Sequence, residues 1–346
     1  MFQRNFLLYD ELKIKVIDRR GYFSRNFSLF EKDYEYFETE KKFEQYDLII
    51  DLGAFSKPKE GLVVENDKFL CSETFIYSEK KYKVAKFSFQ INFLPDGSMY
   101  VNIDPNFFAN RVIHQLLIDF LVNIKLNQKN FSNMHTAAIT KNEKGILISG
   151  PGGAGKTSFT LSSISQGCEI LGDDRIYIKN GFVYEFPECL GISSGNYKYI
   201  YPYIRLKTKL LIQLNNFLRI LSLNYVGMPI SFSYRELFDK KFLGKKTLLT
   251  TIIIIQLSDH FEIEKSNKKL LSHYLTKNQQ YEDRFIYDMI MNYSFLYPNN
   301  PLIEYVKNYH AKLLANLPEN FDTYLIHYPD GKYDQISNWL KEKIWV

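Results

Sequence analysis

A glycine-rich segment is the part of this sequence with the clearest chemical potential. Residues 150–157 are Gly-Pro-Gly-Gly-Ala-Gly-Lys-Thr and match G-x-x-x-x-G-K-[ST], a pattern that binds nucleotide phosphates. Glycines let the backbone turn its N–H groups toward phosphate oxygens. Lys156 is expected to neutralise the β- and γ-phosphates, and the Thr157 hydroxyl to coordinate Mg²⁺. The pattern therefore predicts binding of a nucleotide with magnesium.

Two adjacent carboxylates follow this segment. Asp173 and Asp174 come 17 and 18 residues after Lys156, at the end of a predicted strand. Phosphoryl transfer to a hydroxyl requires one carboxylate to orient or deprotonate the acceptor and another to hold the metal. Ligands of open α/β sheets bind beyond the carboxyl ends of the strands. The pair therefore favours phosphoryl transfer, although on its own such a pair is more often a turn or a helix cap.

The surrounding sequence predicts the elements that position these residues. Residues 146–148 form an apolar strand that runs into the loop, and residues 157–166 form a helix with Gly167 as its C-terminal stop. Residues 168–171 form the next predicted strand, and a strand in that position commonly lies close to the strand before the loop. This strand–loop–helix context is the one in which the pattern binds phosphate.

The chain divides by pattern into a β-rich N-terminal region (residues 1–104) and a predicted α/β domain (residues 105–346). Asp104 and Pro105 predict a helix start, with aspartate as the N-cap and proline at the first helical position, and residues 108–124 keep helical spacing. Residues 248–257 contain four consecutive isoleucines and predict a central strand buried on both faces.

The composition is that of a globular protein, with 45% hydrophobic and 24% charged residues. A net charge of +5 suits an anionic ligand but does not indicate nucleic acid binding. Three cysteines without paired or metal-ligand spacing, Cys71, Cys168 and Cys189, predict free thiols in a reducing cytoplasm. No signal peptide or spanning segment is expected. We expect neither nucleic acid nor a membrane as a partner, and a homo-oligomer is compatible with the sequence.

Four motifs resemble the kinase domain of the HPr kinase/phosphorylase family and of HPr-kinase-like proteins more widely. They are His135-Thr-Ala-Ala, residues 148–157, Gly167 and Leu171-Gly-Asp-Asp174. The specific motifs cover about residues 130–190. The resemblance implies an α/β P-loop core with a mixed central sheet, related to phosphoenolpyruvate carboxykinase. It also implies transfer of phosphate from ATP to a serine hydroxyl, with an aspartate as base.

The resemblance implies roles for individual residues. Asp173 is favoured as the base and Asp174 as the metal partner, with His135 and Lys156 completing the catalytic set. We expect ATP contacts from Gly150, Gly152, Gly153, Ala154, Gly155, Lys156, Thr157 and Ser158. We expect Mg²⁺ to be held by Thr157, Asp174 and Glu188. Without the resemblance, His135 is as well explained as a core histidine at a strand end.

The sequence departs from the family after the aspartates. Glu188-Cys-Leu-Gly191 lacks the arginine of the family signature E-[IV]-R-G-x-G, so an acceptor other than HPr is favoured. Arg205, Lys207 and Arg235 are candidates to clamp a phosphate, although solvated surface charge is the more common role. Residues 191–201 have the composition of an acceptor-binding loop, or equally of an ordinary loop.

The favoured function is that of a Mg·ATP-dependent kinase. Its acceptor would be a Ser/Thr hydroxyl of a peptide or protein, or a small hydroxylated molecule. The alternative is a nucleotide-binding ATPase or switch without an acceptor, in which Asp259, beyond the 248–257 strand, holds the metal. A third alternative, a degenerate scaffold, is disfavoured by the intact Lys156, Thr157 and paired aspartates.

Overall fold

The computed structural model describes residues 2–21, 29–64, 69–191, 197–202, 204, 206–221, 231–233, 242–282 and 284–345. The chain forms two compact units, and each is built from two separate stretches of sequence. The first unit comprises Met1–Ser132 and Gln280–Lys312, and the second comprises Asn133–Gln279 and Leu313–Val346. The division therefore differs from the predicted boundary after residue 104.

The strands are numbered in chain order. They are β1 (Phe2–Leu8), β2 (Leu12–Asp18), β3 (Glu38–Thr39), β4 (Leu48–Leu52), β5 (Leu62–Val64), β6 (Phe69–Ser72), β7 (Phe75–Tyr82), β8 (Ala85–Phe93), β9 (Met99–Pro105), β10 (Ser132–Met134), β11 (Ala137–Lys141), β12 (Lys144–Ser149), β13 (Glu169–Gly172), β14 (Ile176–Lys179), β15 (Phe182–Tyr184), β16 (Leu190–Gly191), β17 (Ser231–Phe232), β18 (Thr247–Leu257), β19 (Glu262–Lys265) and β20 (Asp322–Tyr328).

The helices are α1 (Leu29–Tyr34), α2 (Asn110–Ile113), α3 (Asp119–Gln128), α4 (Lys156–Ser163), α5 (Tyr197–Ile200), α6 (Leu206–Leu221), α7 (Lys268–Glu282), α8 (Arg284–Leu296), α9 (Pro301–Asn316) and α10 (Tyr333–Lys343). A π-helical turn, His114–Ile118, joins α2 to α3, and short 3₁₀ turns stand at Glu35–Phe37, Phe107–Ala109 and Ile164–Gln166.

The first unit is built on a mixed sheet with the order β3-β1-β2-β4-β9-β8-β7-β6-β5 among the described residues. β4 runs parallel to both β2 and β9, and the other pairs are antiparallel. The alternation of buried side chains along β8, with Phe87, Phe89 and Ile91 on the buried face, agrees with the β-rich character predicted for residues 1–104.

The helical segment after β9 belongs to the first unit, which explains why the predicted boundary was displaced. The Tyr34 hydroxyl donates to Asp119 Oδ1 (3.0 Å), and the Phe120 ring meets that of Tyr305 edge-on at 5.7 Å. Helices from three distant stretches of sequence are therefore packed within this unit. Composition along the chain gave no sign of contacts at such separations.

The predicted helix start at Asp104 and Pro105 is wrong. Both residues still belong to β9, where Asp104 lies opposite Ser88 and Pro105 opposite Phe87 in the antiparallel ladder with β8. Helical structure begins at the 3₁₀ turn Phe107–Ala109, and the Phe108 side chain is exposed rather than buried. Strand pairing here outweighs the local preference of an Asp-Pro pair for a helix N-terminus.

The second unit contains a mixed sheet whose described strands follow the order β10-β14-β15-β18-β12-β11-β13, with β20 also pairing with β18 and carrying β19. β12, β18 and β20 are parallel, and Ile252–Ile255 are buried at the centre as predicted. β13 does not neighbour β12, because the antiparallel strand β11 lies between them. The predicted α/β class is therefore confirmed, with a different neighbour for the loop strand.

The strands of this sheet bury one apolar face against α4 and α10. Ile148, Ile253 and Ile326 from three neighbouring strands share a cluster with Phe159 of α4 and Ile336 of α10. The cluster fixes the direction in which α4 leaves the sheet. None of the helices in the described ranges has the length and apolar character needed to cross a membrane.

Candidate active site at the edge of the second sheet

The loop between β12 and α4 has the backbone shape that its glycines predict. Gly153 and Gly155 adopt left-handed conformations at φ +81° and +85°. A Cβ on Gly155 would lie 2.5 Å from the Tyr333 ring, so packing alone requires glycine there. Added Cβ atoms on Gly152 and Gly153 would meet nothing within 4 Å, so these glycines face open space. The left-handed backbone accounts for glycine at 153, whereas neither packing nor a positive φ accounts for Gly152, where close approach of a ligand to the backbone would favour glycine.

Lys156 is the first residue of α4, and its charge is buried. Its ammonium donates to the Gly150 carbonyl oxygen at 2.9 Å, at the start of the same loop. It forms no ion pair with a carboxylate of the described residues. Because buried ammonium groups are nearly always paired with an anion, this arrangement leaves room for an anionic partner.

Asp173 is the buried member of the aspartate pair, with 5% of its surface exposed. Its Oδ2 accepts a hydrogen bond from the Thr157 hydroxyl at 2.7 Å, as the predicted convergence requires. Its Oδ1 is buried and has no hydrogen-bond partner among the described residues. Asp174 is exposed. The structure therefore brings Thr157 and Asp173 together and leaves one carboxyl oxygen unsatisfied.

The surroundings of Asp173 change its protonation. Burial raises the pKa of the Asp173 carboxyl to about 8, and the carboxylate of Asp174 adds to the rise. The hydrogen bond from Thr157 and the positive charge of Lys156 oppose it, but the desolvation of the carboxylate outweighs them. A carboxyl whose pKa lies near neutrality is suited to accepting a proton from a hydroxyl.

A tight turn after β13 aims Asp173 at α4. A Cβ on Gly172 would lie 2.7 Å from the Arg175 carbonyl oxygen and 2.9 Å from that of Phe186, so only glycine fits this position. The Phe186 N–H donates to the Leu171 carbonyl oxygen at 2.8 Å and closes the turn from the other side. The Leu-Gly-Asp-Asp sequence thus combines a strand end, an enforced glycine and a buried carboxylate.

Sheet register brings His135 to the same edge. β11 pairs with β12 through Ala137 opposite Ile148, and with β13 through Ala138 opposite Gly172. His135 lies two residues before β11, in a bend, and is half-buried. The side-chain amide of Asn278 donates a hydrogen bond to the His135 carbonyl oxygen at 2.6 Å. His135 therefore stands at the edge where β12 enters the loop and β13 ends, while its chemical role stays a prediction.

Glu188 is held by an arginine that the sequence reasoning missed. Its carboxylate forms an ion pair with Arg175 (2.8 Å), whose guanidinium lies 4.9 Å from the centre of the Phe186 ring. The nearby cation competes with any Mg²⁺ for this carboxylate, and the metal role of Glu188 stays a prediction. The available signal was the position of Arg175, directly after the paired aspartates and 13 residues before Glu188.

Two tyrosines brace the loop from behind, and neither was singled out from the sequence. The Tyr328 hydroxyl, at the end of β20, donates to the carbonyl oxygen of Ala154. The Tyr333 ring packs against Gly155, its hydroxyl donates to Asp330 Oδ1 at 3.4 Å, and burial raises its pKa. Ser158, expected to contact ATP, lies in the first turn of α4. Both tyrosines lie more than 170 residues beyond the loop, so only the fold reveals these contacts.

Other candidates lie elsewhere or outside the described residues. Asp259, the metal residue of the switch alternative, has a side chain 96% exposed and bonded to His260 at 2.7 Å. Ile255 is the residue of β18 that lies against Gly150, and Asp259 comes four residues after it in the chain. Arg205, Arg235 and residues 192–196 of the 191–201 segment lie outside the described residues, as does the side chain of Lys207.

No three His, Cys, Asp or Glu side chains within the described ranges come close enough to form a metal site by themselves. Mg²⁺ in nucleotide sites is usually held by one or two protein groups together with phosphate oxygens and water. The Thr157 hydroxyl, the unsatisfied Asp173 Oδ1 and the exposed Asp174 carboxylate are all hard oxygen donors. Their chemistry therefore fits a magnesium ion that arrives with a nucleotide.

Comparison with known proteins finds distant likenesses of fold among solved structures. No family model matches the chain, and no curated protein matches it. Among solved structures, the chain is similar to the HPr(Ser) kinase/phosphatase from Coxiella burnetii, with 11% sequence identity and a TM-score of 0.30. The match covers 61% of this chain and 94% of that chain.

Proposed function

We propose that this protein is a Mg·ATP-dependent kinase that transfers the γ-phosphoryl group to a hydroxyl. The acceptor would be a serine or threonine of a peptide or protein, or a small hydroxylated molecule. One observation carries the proposal: the buried Asp173 carboxyl contacts Thr157 of the glycine-rich loop and keeps one oxygen without a partner. We further propose that it acts in the cytoplasm, where its unpaired cysteines would stay reduced.

The loop supplies the proposed donor side. Backbone N–H groups of residues 150–157 would surround the phosphates, and the open space beside Gly152 and Gly153 would let them approach closely. Lys156, buried without a carboxylate partner, would turn from the Gly150 carbonyl to the β- and γ-phosphates. Thr157 and Asp174 are the proposed ligands of Mg²⁺, which when bound neutralises charge on the phosphates.

Asp173 is the proposed base. Its carboxylate would take the proton of the acceptor hydroxyl as the acceptor oxygen bonds to the γ-phosphorus and the bond to the β–γ bridging oxygen breaks, releasing ADP. The raised pKa supports this role, because a base works best when its pKa lies near the working pH. The tight turn at Gly172, which admits only glycine, fixes the position of the Asp173 carboxyl that follows it.

Transfer of labelled phosphate tests the proposal. The protein is incubated with Mg·[γ-³²P]ATP and a panel of serine- and threonine-containing peptides and small polyols. We expect a labelled acceptor with the wild-type protein, and a loss of about 100-fold or more in Asp173→Asn. If the wild-type protein releases inorganic phosphate at the same rate with every acceptor and labels none, the ATPase alternative is correct.

A further inference from the structure

Helix α6 presents an apolar face to solvent. Large apolar residues recur along it at spacings of four, four, three and four, which places them on one side of a helix. Two more flank this stripe, and all seven side chains are 43–75% exposed. We call them the α6 outer face: Leu206, Leu210, Leu211, Leu214, Phe217, Ile220 and Leu221.

The side of α6 that packs against the rest of the second unit has fewer apolar side chains among those described. Thr208 and Ile212 are its buried residues among the side chains described. Ile212 packs in a cluster with Leu161 of α4 and Ile170 of β13. An amphipathic helix of a globular protein normally buries its apolar stripe and exposes its polar side. Because α6 instead exposes its apolar stripe, the α6 outer face is a candidate binding surface.

The charge of this part of the chain indicates what kind of partner. Between Glu188 and Glu236 the sequence has no acidic residue and six basic ones, three of them within α6. The Lys209 ammonium lies 4.1 Å from the centre of the Tyr201 ring, and Tyr201 is itself exposed. By helical periodicity Lys207 and Lys209 occupy positions beside the outer face, whereas Arg219 falls on the opposite side of the helix. An apolar helix face bordered by lysine positions and an amphipathic aromatic residue complements a surface that is apolar inside and negative outside.

We propose that the α6 outer face binds an anionic lipid surface, with the helix lying flat among the headgroups. The helix has 16 residues and a length of about 24 Å, and its inner side is fixed to the protein, so it would lie on a bilayer without crossing it. The expectation of no membrane partner rested on the absence of a spanning segment, which interfacial binding does not need.

A second copy of the chain is a poorer partner for this face. Two copies meeting through α6 would bring the same positive charges together, and α6 itself offers no carboxylate to pair with them. An anionic lipid surface supplies that charge and accepts the leucine, isoleucine and phenylalanine side chains at the headgroup–acyl boundary.

Sedimentation with vesicles tests the proposal without nucleotide, so the result is independent of the proposed kinase activity. The full chain is mixed with phosphatidylcholine vesicles or with 1:1 phosphatidylcholine:phosphatidylglycerol vesicles in 0.1 M salt. We expect at least tenfold tighter binding to the anionic vesicles, and a clear loss of binding in 0.5 M salt. Equal or absent binding to the two kinds of vesicle overturns the proposal.

Exposed apolar residues elsewhere provide a matched control. Leu214→Gln with Phe217→Gln should weaken vesicle binding about tenfold or more, whereas Val63→Gln with Phe295→Gln, at two exposed positions of the first unit, should leave it unchanged. The tryptophan fluorescence of Phe217→Trp should shift to shorter wavelength on anionic vesicles, whereas that of Phe295→Trp should not. Equal loss in both double variants overturns the proposal. So does a wild-type dimer in sedimentation velocity that the Leu214/Phe217 variant dissociates, because α6 would then be an interface between copies.

Discussion

Two groups of buried charges differ in how fully the protein satisfies them. In the first unit, Asp18 Oδ2 accepts from Arg20 Nη2 (2.8 Å), and Asp18 Oδ1 accepts from the Arg20 backbone N–H (2.9 Å) and Nε (3.0 Å). Arg20 also donates through Nη1 to Asn110. In the second unit, counting only the residues that the structure describes, Lys156 has a single carbonyl partner, and Asp173 has one hydrogen bond for two oxygens.

Under the proposed function, the difference separates charged groups that serve the fold from groups that await a ligand. Burying a charge costs free energy unless partners compensate it, and the Asp18–Arg20 pair compensates within the chain. Among the described residues, the Lys156 ammonium and the Asp173 carboxyl are left partly unsatisfied, at the sheet edge where β12 and β13 end and β11 begins. Functional sites commonly retain such local instability because the ligand supplies the missing partner.

Removal of the buried cation from each group gives the largest contrast. Lys156→Met should lower phosphoryl transfer by about 10³-fold, since the phosphates lose their cation, while the free energy of unfolding of the ligand-free protein changes by less than about 1 kcal/mol. Arg20→Met should lower that free energy by about 3–5 kcal/mol, because it strands a buried Asp18 carboxylate. Urea unfolding and the transfer assay give both numbers. Equal destabilisation by the two variants would contradict the contrast.

Neutralising the carboxylate of each group is the next test. Asp173→Asn should reduce transfer by about 100-fold or more and raise the stability of the ligand-free protein by about 1–2 kcal/mol, since a poorly satisfied buried carboxyl is removed. Asp18→Asn should instead destabilise the protein by about 2 kcal/mol and leave transfer by the folded fraction intact. A loss of stability in Asp173→Asn would show that this carboxylate serves the fold.

The pH dependence of stability sharpens the same comparison. The Asp173 carboxyl holds its proton in the folded protein up to about pH 8, whereas an unfolded chain releases it near pH 4. Its contribution to stability is therefore complete below about pH 4 and is lost as the pH rises toward 8. The stability advantage of Asp173→Asn over the wild type should grow across this window, by at most about 1.4 kcal/mol per pH unit. An advantage that is constant from pH 5 to pH 8 would refute the raised pKa.

Loss of the hydrogen bond from Tyr328 to the glycine-rich loop should have the smallest effect. Tyr328→Phe removes the hydroxyl that binds the Ala154 carbonyl oxygen, so the loop should hold Mg·ATP more weakly by about 1 kcal/mol, or roughly fivefold. Tyr324→Phe, four residues earlier on β20 with its ring against Trp339, is the matched control and should leave affinity unchanged. Titration calorimetry with Mg·ATP measures both.

The parts of the candidate site whose structure is determined by neighbouring residues could be predicted from the sequence. The loop glycines, the helix that starts at Lys156 and the strand ending at Gly172 are encoded within about 25 residues, and together they predicted that Thr157 and an aspartate would meet. The strand β11 between β12 and β13 did not spoil this, since β12 and β13 are both antiparallel to β11 and therefore end at the same edge.

The features that depend on contacts between distant parts of the chain could not be predicted from the sequence. The β8–β9 ladder extends through Asp104 and Pro105, against their preference for a helix start. Arg175 with Glu188 and Tyr328 with Ala154 meet only after the sheet has formed, and residue types alone do not indicate such pairs. The unsatisfied oxygen of Asp173 was equally hidden, because burial depends on everything packed around the turn.

Calorimetric titration of Mg·ATP into the ligand-free protein tests the central claim most directly. We predict that the wild-type chain binds one nucleotide with a Kd between about 1 µM and 1 mM, and that Lys156→Met binds none while unfolding at the same urea concentration as the wild type. Absence of binding by the wild-type protein, or equal affinity in Lys156→Met, would contradict the assignment of these buried charges to a nucleotide.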